Sequence, residues 1–402
     1  MTRFYAGILF LILIEAQLGL GFAADLQTPN VAIPSSYFGL HIHHLTYPVP
    51  TTPWPNMPVP TWRLWDAAVR WPDLEPNKGQ WQFERLDHYV SMAQEHGTSL
   101  LLPLGMTPLW AAPRPQISAE PKNMDDWRTF VKTVVSRYKG RIQAYEIWNE
   151  PNLTDFWTGT TDQMLALTKE ASEIIHSLDP QAIVVSPSAT ADFGIPWLEE
   201  FLKKGGGQYV DVIGYHFYVN PNTGRPEQML PVIQRVRQVM TENGLGKKPL
   251  WNTEQGWLAP AEFDSEEMAA GYLARAYILA WAAGVQRLYW YAWDNRSLAI
   301  VTYKEEGHRV TPAGSAYRVM EQWLVGAKMD SCLESPDQSW VCQLNRGGKK
   351  EWIVWNPQGR RKFDVPPTWR VKSVTPLLQD RRSANGSSID IGPVPMLLTG
   401  RS

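Results

Sequence analysis

The chain has few cysteines, little net charge and no glycine-rich turn after an early strand. Its 402 residues carry a formal net charge of −2. Because no basic block is present, binding to nucleic acid or to anionic membranes through charge is not expected. The lack of a phosphate-binding turn argues against a nucleotide-binding open sheet. His41 and His43 lack a third ligand at metal-site spacing, so we predict no metal and no other cofactor.

Cys332 and Cys342 are the two cysteines of the chain. Exported proteins keep disulfides, and we predict that these two residues bridge a hairpin. The alternative is a pair of free, buried thiols. A zinc site is disfavoured because no histidine pair lies near them at ligand spacing.

The N-terminal segment has the features of a secretory signal. Arg3 precedes an apolar run over 7–14, and Ala23 ends a small-residue cleavage motif. Glu15 interrupts the apolar run, whereas a bilayer crossing needs about 20 apolar residues. We therefore predict a signal peptide over 1–23, a secreted or periplasmic protein, and no stable insertion in a membrane.

Apolar strand patterns alternate with amphipathic helical patterns over most of the chain, which indicates parallel pairing of the strands. Eight such units within residues 24–325 predict a (β/α)8 TIM barrel. A doubly wound open sheet is the structural competitor. In a barrel, functional residues lie at the C-terminal ends of the strands. The predicted strands are 37–41, 61–64, 99–104, 143–148, 182–186, 210–215, 249–253 and 288–292.

The pattern changes after residue 325, where helical periodicity stops. We predict a small, β-sandwich-like antiparallel domain over 326–402, with which the segment 26–34 can pair. Turn residues separate its short strands, as expected for antiparallel neighbours. The predicted strands are 340–344, 351–355, 371–374 and 396–398.

Aromatic residues are abundant, with 20 Trp and 15 Tyr. Aromatic rings fill cores, but they also stack on the apolar faces of sugar rings. Trp65, Trp110 and Trp293 each follow a predicted strand, where packing alone gives less reason for them. We predict that these three bind sugar rings, with core packing as the alternative.

Two glutamates carry the strongest functional signal. Glu150, in Ile-Trp-Asn-Glu-Pro-Asn, and Glu254, in Leu-Trp-Asn-Thr-Glu-Gln-Gly-Trp, each close an apolar strand run. Three strand–helix units fit between them, so we expect the two carboxyl groups to face each other across the barrel mouth, ~5–5.5 Å apart. Cleavage of a glycosidic bond needs such a pair. A surface position for Glu150 and a structural ion pair for Glu254 are the alternatives.

Residues 149–150 on strand four and Glu254 on strand seven resemble the catalytic motifs of the retaining (β/α)8 glycoside hydrolases of clan A. The fuller pattern is similar to that of family 39 and its relatives. It covers about residues 36–325 and is specific for the clan rather than for a substrate. The supporting segments are 38–41, 62–66, 78–83 and 289–294.

The resemblance implies a role for each motif residue. Glu150 would be the acid/base and Glu254 the nucleophile. Asn149 would hydrogen-bond the 2-hydroxyl of the sugar at the cleaved bond, a contact that strengthens in the transition state. Tyr218 would hold the nucleophile through its hydroxyl, and Arg63 would keep it ionised through its positive charge.

Two histidines complete the predicted site. His216 stands in a His-x-Tyr arrangement with Tyr218, and the alternative for it is a core histidine with satisfied hydrogen bonds. His41 lies on a strand with one face toward the barrel interior, so we predict that it lines the sugar pocket. For Arg63 and Tyr218 the alternatives are a structural salt bridge and core packing.

These observations favour a secreted retaining glycoside hydrolase that acts on a polysaccharide or oligosaccharide by double displacement. A transglycosylase and a non-catalytic carbohydrate-binding relative on the same barrel are the alternatives. A metal-dependent hydrolase or an aldolase is disfavoured, because the sequence shows neither clustered metal ligands nor a lysine at a strand end.

Overall fold

The computed structural model describes residues 26, 28–45, 52–219, 225–257, 263, 265–294, 303–304, 309–384 and 386–400. The predicted signal peptide over 1–23 lies outside these residues. Within the described ranges, no helix has the length and the apolar character that a bilayer crossing requires.

A nine-stranded parallel sheet forms the larger part of the fold. Its strands pair in the order β5-β4-β3-β2-β1-β9-β8-β7-β6. All eight predicted strands are confirmed with small shifts at their ends, and the two-residue β6 is an addition. The strands are β1 (Phe38–Leu40), β2 (Thr61–Arg63), β3 (Ser99–Leu104), β4 (Ala144–Ile147), β5 (Ile183–Val185), β6 (Ala189–Thr190), β7 (Ile213–His216), β8 (Leu250–Gly256) and β9 (Arg287–Tyr291).

The sheet curls strongly. Val185, the last residue of β5, forms a parallel bridge with Val212, which directly precedes β7. The backbone N–H of Ser186 donates to the Val212 carbonyl at 3.0 Å. The chain is therefore a mixed α/β protein whose parallel strands bring their C-terminal ends to one rim.

Eight α-helices occur in the described residues. Side-chain caps mark the first turn of several of these helices. The Asn123 side chain accepts from the Asp125 N–H at 2.9 Å. Thr160 forms a capping box with Gln163. The helices are α1 (Trp71–Leu74), α2 (Glu84–Glu95), α3 (Met124–Tyr138), α4 (Thr161–Leu178), α5 (Ile195–Lys203), α6 (Met229–Glu242), α7 (Glu266–Ala282) and α8 (Pro312–Leu324).

The inside of the curled sheet is filled by a layer of buried side chains. Because side chains alternate along a strand, every second residue can point inward. A larger cluster packs the outer face of the sheet against the helices. The inner layer comprises Leu101, Ala144, Val185, Val212, Trp251 and Tyr289.

Antiparallel sheets form the rest of the described fold, one short pair before α8 and the others after it. A six-stranded sheet has the order β12-β13-β14-β19-β16-β17, and β10–β11 and β15–β18 are separate pairs. All four predicted strands of this region are confirmed, as β13, β14, β16 and β19 of the six-stranded sheet. The bounds are β10 (Tyr303–Lys304), β11 (Arg309–Val310), β12 (Lys328–Glu334), β13 (Trp340–Arg346), β14 (Lys349–Trp355), β15 (Arg361–Asp364), β16 (Val371–Pro376), β17 (Arg382–Ser383), β18 (Ser388–Ile391) and β19 (Met396–Gly400).

A disulfide joins Cys332 and Cys342, which lie opposite each other on β12 and β13. The predicted hairpin bridge is thus confirmed. Ala32 forms an antiparallel bridge with Lys328 at the start of β12, so the segment before β1 contacts the antiparallel sheet.

Arg346, at the end of β13, connects this sheet to α8. Its guanidinium donates to the Val325 carbonyl at 2.6 Å and to the Trp323 carbonyl at 2.9 Å. The last carbonyls of a helix have no partner within the helix. Arg346 therefore satisfies the end of α8 from a different element.

We expect Arg346→Ala to lower the free energy of unfolding by about 1–2 kcal/mol, because two charge-assisted hydrogen bonds at a helix end are lost. Urea denaturation followed by circular dichroism measures this change. Lys350→Ala, an exposed substitution on β14, is the control and should stay within about 0.5 kcal/mol of wild type. Equal stabilities for the two variants would contradict this role of Arg346.

Candidate active site

Glu150 follows β4 in an unusual backbone turn. Trp148 and Glu150 have positive φ angles of 71° and 43°, a region that residues other than glycine rarely adopt. The Glu150 N–H donates to the Ser188 carbonyl at 2.9 Å, which holds the turn against the neighbouring segment. Strain of this kind costs about 1–3 kcal/mol per residue and clusters at functional sites.

Glu254 lies inside β8, because this strand continues to Gly256. The prediction that Glu254 ends its strand is therefore wrong by two residues. The pairing of β8 with β9 shifts register between Asn252 and Gln255. A bulge of this type redirects side chains and is common beside active sites, so it explains how a residue within a strand reaches the rim.

The structure brings Glu150, Glu254 and His216 together. One oxygen or nitrogen atom of each lies within 4.8 Å of the others, and all three residues are buried. The same three atoms have a spacing that a metal ion could use. The Arg63 guanidinium, 2.8 Å from Glu254, already supplies a positive charge there and would repel a further cation.

Arg63, on β2, is fully buried beneath the two glutamates. Its Nε donates to Glu146 at 2.6 Å, its Nη1 to Glu254 at 2.8 Å and its Nη2 to the Asn149 side-chain oxygen at 2.7 Å. Burial lowers the pKa of Arg63, but the charges of Glu146 and Glu254 outweigh it and raise that pKa overall. Arg63 therefore stays charged and orients three side chains at once.

Tyr218 contacts the other oxygen of Glu254. Its hydroxyl donates to Glu254 Oε1 at 3.0 Å. Burial, and then the charge of Glu254, raise the pKa of Tyr218 well above its ordinary value. The phenol therefore keeps its proton, and Glu254 receives donors on both oxygens.

His216, the last residue of β7, lies between Glu150 and Thr253. Its Nδ1 is 2.8 Å from Glu150 Oε1, and its Nε2 is 3.0 Å from the Thr253 hydroxyl. The side chain is completely buried. Each ring nitrogen of His216 therefore has a hydrogen-bond partner, and these two contacts hold the ring in place.

The two glutamates share their proton equilibrium. Burial, aided by the charge of Glu150, raises the pKa of Glu254 to about 7 against the opposing charges of His216 and Arg63. Burial raises the pKa of Glu150 as well, but the hydrogen bond and the charge of His216, followed by the hydrogen bond with Thr190, outweigh burial and lower that pKa overall. Carboxyl groups this close titrate together, so the proton lost near pH 7 belongs to the pair.

Hydrogen-bond partners indicate where this proton resides. Arg63 and Tyr218 only donate to Glu254, which stabilises its ionised form. Glu150 instead faces a ring nitrogen of His216, which can either donate or accept. We therefore place the proton in the pair formed by Glu150 and His216.

His41 and the three predicted tryptophans have different surroundings. His41 Nε2 is 3.1 Å from the Thr253 carbonyl, and burial, aided by the charge of Arg63, lowers the pKa of His41. Trp65 lies beside Arg63, whose guanidinium carbon is 5.8 Å from the ring centre. Trp293 is completely buried. A sugar contact for these residues stays a prediction.

Trp110 has contacts outside this group. Its indole N–H donates to the Glu75 carbonyl at 2.9 Å, its ring packs edge-on against Trp71, and the Lys78 ammonium lies 5.6 Å from its centre. These are contacts with α1 and its following loop rather than with the two glutamates. The Trp110 side chain is partly exposed, and a sugar contact for it stays a prediction.

Sequence reasoning missed Glu146, Ser188 and Thr253. Glu146 is completely buried in β4, and its Oε1 accepts from the hydroxyls of Ser188 and Thr253. A charged residue in the middle of the apolar run that precedes Glu150 was an available signal. Ser188 and Thr253 gave none, because small hydroxyl residues near strand ends are common.

A second group of hydrogen bonds lies at the rim. The Tyr291 hydroxyl donates to Asp66 at 2.5 Å. Asp294 accepts from the backbone N–H groups of His43 and His44, both at 2.8 Å. These bonds connect the loops after β1, β2 and β9 around the site.

Known proteins resemble this chain in sequence and fold. The family described as glycosyl hydrolases family 39 matches residues 77–291. A β-xylosidase of Caldicellulosiruptor saccharolyticus is 35% identical over 106 residues, 24% of this chain and 22% of that protein. A β-xylosidase of Geobacillus stearothermophilus is 26% identical over 183 residues, 39% of this chain and 36% of that protein. The chain thus spans between a fifth and two fifths of the length of these curated relatives.

Solved structures resemble it over a larger share. A family 39 glycoside hydrolase from Bacteroides cellulosilyticus WH2 has a TM-score of 0.74 at 17% identity, covering 92% of this chain and 81% of the other. A family 39 β-xylosidase from Caulobacter crescentus has a TM-score of 0.63 at 17% identity, covering 94% of this chain and 99% of the other. Identities this low support the fold alone.

The curled parallel sheet with paired glutamates at its rim defines the class, that of the clan A glycoside hydrolases. The family match covers more than half of the chain. The chain belongs to family 39 of the glycosyl hydrolases.

We expect Arg63→Met to lower the free energy of unfolding by about 3–5 kcal/mol at pH 7.5, because Glu146 and Glu254 lose their buried countercharge. The loss should be smaller at pH 5.5, where an uncompensated carboxylate can take up a proton. Arg63→Met/Glu146→Gln, which removes one of the two orphaned charges, should be more stable than the single variant. Urea denaturation at both pH values measures this, and a pH-independent loss would contradict it.

Proposed function

We propose that this protein is a retaining glycoside hydrolase in which Glu254 is the nucleophile and Glu150 the acid/base. The observation that carries this proposal is the separation of at most 4.8 Å between an oxygen of each carboxyl group. Retaining enzymes have their two carboxyl groups about 5–5.5 Å apart, and inverting enzymes about 6.5–9.5 Å. Water does not fit between groups at the shorter distance, so direct attack by a carboxylate is favoured.

In the first step, ionised Glu254 attacks the anomeric carbon while the bond to the leaving oxygen breaks. Glu150 gives its proton to that oxygen, and a glycosyl ester on Glu254 forms. Arg63 and Tyr218 hold the attacking carboxylate through its two oxygens. Their hydrogen bonds orient it without reorganisation during the reaction.

In the second step, Glu150 acts as a base. It removes a proton from water, the water oxygen bonds to the anomeric carbon, and the ester bond to Glu254 breaks. The free sugar leaves, and Glu150 has regained its proton. In a transglycosylase, a sugar hydroxyl would take the place of this water.

Asn149 has the geometry for a contact with substrate. Arg63 fixes its side-chain oxygen at 2.7 Å, which directs the amide nitrogen away from the arginine. That nitrogen is buried and has no hydrogen-bond partner among the described residues. A buried donor without a partner is costly, and the 2-hydroxyl of a sugar bound at the cleaved bond would satisfy it.

The relatives suggest a substrate class. Proteins named β-xylosidase and endo-1,4-β-xylanase are among them. We therefore propose β-linked sugars, with β-xylosides to be tested first. Two mannan endo-1,4-β-mannosidases in the same comparison place β-mannosides second.

We propose the corresponding architecture and location as well. The contact of Val185 with Val212 supports closure of the parallel sheet into a (β/α)8 barrel over 24–325. The bridge between Ala32 and Lys328 supports an accessory β domain over 326–402 that includes 26–34. The disulfide is consistent with secretion after removal of residues 1–23.

Covalent labelling tests the nucleophile. We expect a 2-fluoro-β-xyloside or a xylose-configured cyclophellitol to form an adduct on Glu254, located by peptide mass spectrometry. Glu254→Gln should form none. Glu321→Gln, which alters a buried carboxyl group on α8, is the matched control and should label like wild type. An adduct on another residue would overturn the assignment, and the mannose-configured probes test the second substrate class.

Removal of the acid/base tests Glu150. We expect Glu150→Ala to lower kcat by about 10²–10⁴-fold on a substrate with a poor leaving group. Azide should restore turnover and give a glycosyl azide with the configuration of the substrate, because it needs no general base. An azide product of inverted configuration, read by NMR, would contradict the retaining mechanism.

The pH profile tests the shared proton. The active form holds one proton on the pair, and the pKa of Glu254 of about 7 marks its loss, so kcat/KM should fall as pH rises through about 7. Burial also raises the pKa of Glu321 to about 7, yet Glu321→Gln should leave the profile unchanged. A profile that is flat between pH 6 and 8, or a limb that disappears in Glu321→Gln, would contradict this origin.

A further inference from the structure

A chain of buried hydrogen bonds connects the two catalytic carboxyl groups underneath the site. Glu146 lies at its centre. One oxygen of Glu146 accepts from Arg63, which binds Glu254, and the other accepts from Thr253 at 2.8 Å. Thr253 in turn contacts His216, which contacts Glu150. The nucleophile and the acid/base therefore share one buried anion that touches neither of them.

The direction of these hydrogen bonds follows from the chemistry of the groups. The Thr253 hydroxyl lies 2.8 Å from Glu146 Oε1 and 3.0 Å from the Ser188 oxygen. A carboxylate only accepts and is a stronger acceptor than a hydroxyl oxygen, so the single hydroxyl hydrogen of Thr253 is directed to Glu146. The Thr253 oxygen can then only accept from the ring nitrogen Nε2 of His216, 3.0 Å away. Nε2 is thus the protonated nitrogen of the neutral ring, and Nδ1 faces Glu150 as an acceptor.

We propose that Glu146 is a positioning residue for the general acid: through Thr253 it fixes the tautomer of His216, so that a proton is kept between His216 Nδ1 and Glu150. The catalytic part of this inference rests on the proposed function. The tautomer part stands on the geometry of Glu146, Thr253 and His216 alone.

The substitution Glu146→Gln reverses the direction of the hydrogen bonds from residue 146 through Thr253 to His216, while the side chain keeps its shape. The amide oxygen of the variant faces Arg63, because a guanidinium only donates. The amide nitrogen then donates to Ser188 and Thr253, which frees the Thr253 hydroxyl hydrogen to turn toward His216 Nε2. The neutral ring becomes protonated on Nδ1 and donates to Glu150, which stabilises the ionised form of Glu150, so that Glu150 releases its proton to solvent more readily and is a poorer acid for the leaving oxygen.

Other groups around the pair remain the same in this variant. The charged and titratable side chains that face Glu150, His216 and Glu254 are Arg63, His41, Asp66 and Tyr218. Each is retained in Glu146→Gln. A change in the state of His216 would therefore come from the altered hydrogen-bond direction or from the lost charge of Glu146.

Two further variants separate these causes. Thr253→Val keeps the charge of Glu146 and its bond with Arg63 but removes the hydroxyl that contacts His216. Ser188→Ala removes the other hydroxyl that donates to Glu146, together with its 3.0 Å contact with the Thr253 hydroxyl, and leaves the bonds of Thr253 with Glu146 and His216 in place. Thr253→Val should therefore behave like Glu146→Gln, and Ser188→Ala should behave like wild type in the state of His216.

The first experiment is ¹⁵N NMR of the histidine rings in the whole protein, with His216→Asn used to assign the signal. For the neutral ring, we expect protonated Nε2 in wild type and Ser188→Ala, and protonated Nδ1 in Glu146→Gln. Thr253→Val should lose the fixed Nε2–H form. The same tautomer in wild type and Glu146→Gln would overturn the proposal, whether or not the protein hydrolyses glycosides.

Kinetics then test the catalytic part. On an alkyl β-xyloside, whose leaving group needs protonation, we expect kcat/KM to fall by about 10²-fold or more in Glu146→Gln and Thr253→Val. On a 2,4-dinitrophenyl β-xyloside, which needs little acid assistance, the fall should be less than tenfold. Equal losses on the two substrates would indicate general damage to the site and overturn the proposal. If wild type hydrolyses no glycoside of the probed configurations, the proposed function fails, while the NMR result still decides the tautomer.

Discussion

The buried guanidinium of Arg63 is the group on which the site geometry depends. It projects from β2 and donates to Glu146 on β4, to Asn149 in the following turn and to Glu254 on β8. A cation removed from water is tolerated only when its charge and its hydrogen bonds are both matched. Arg63 meets this condition by contacting residues from three separate elements. The same hydrogen bonds that neutralise the arginine therefore also set the positions of Asn149 and Glu254.

Strained backbone segments lie close to Arg63, and the packing of the surrounding strands holds them in place. The turn at Trp148 and Glu150 has positive φ angles, and the bulge in β8 interrupts regular pairing beside Glu254. Each deviation is unfavourable in isolation. The surrounding strands are filled with buried aliphatic and aromatic side chains, and this packing keeps the strained segments in place.

Local patterns predicted most of the parallel sheet and both glutamates. Buried parallel strands are continuous apolar runs, so the strands around Leu101 and Leu288 stood out in the sequence. Strand β6 has two residues and carries no pattern, and β15 and β17 are mostly exposed and polar. The strand end at Glu254 was misplaced because a bulge depends on the neighbouring strand, which a local pattern does not report.

The sequence by itself determined the order of strands and helices, the two glutamates proposed to be catalytic, and Arg63, Tyr218 and Asn149 as their candidate partners. These follow from apolar periodicity and from motifs of adjacent residues. Only the tertiary structure decided that Glu146 joins Arg63 to Thr253 and His216, and that Trp110 contacts Trp71 and Glu75. Hydrogen-bond direction and the match of buried charges depend on distances between residues far apart in the chain, and those distances exist only once the sheet has curled.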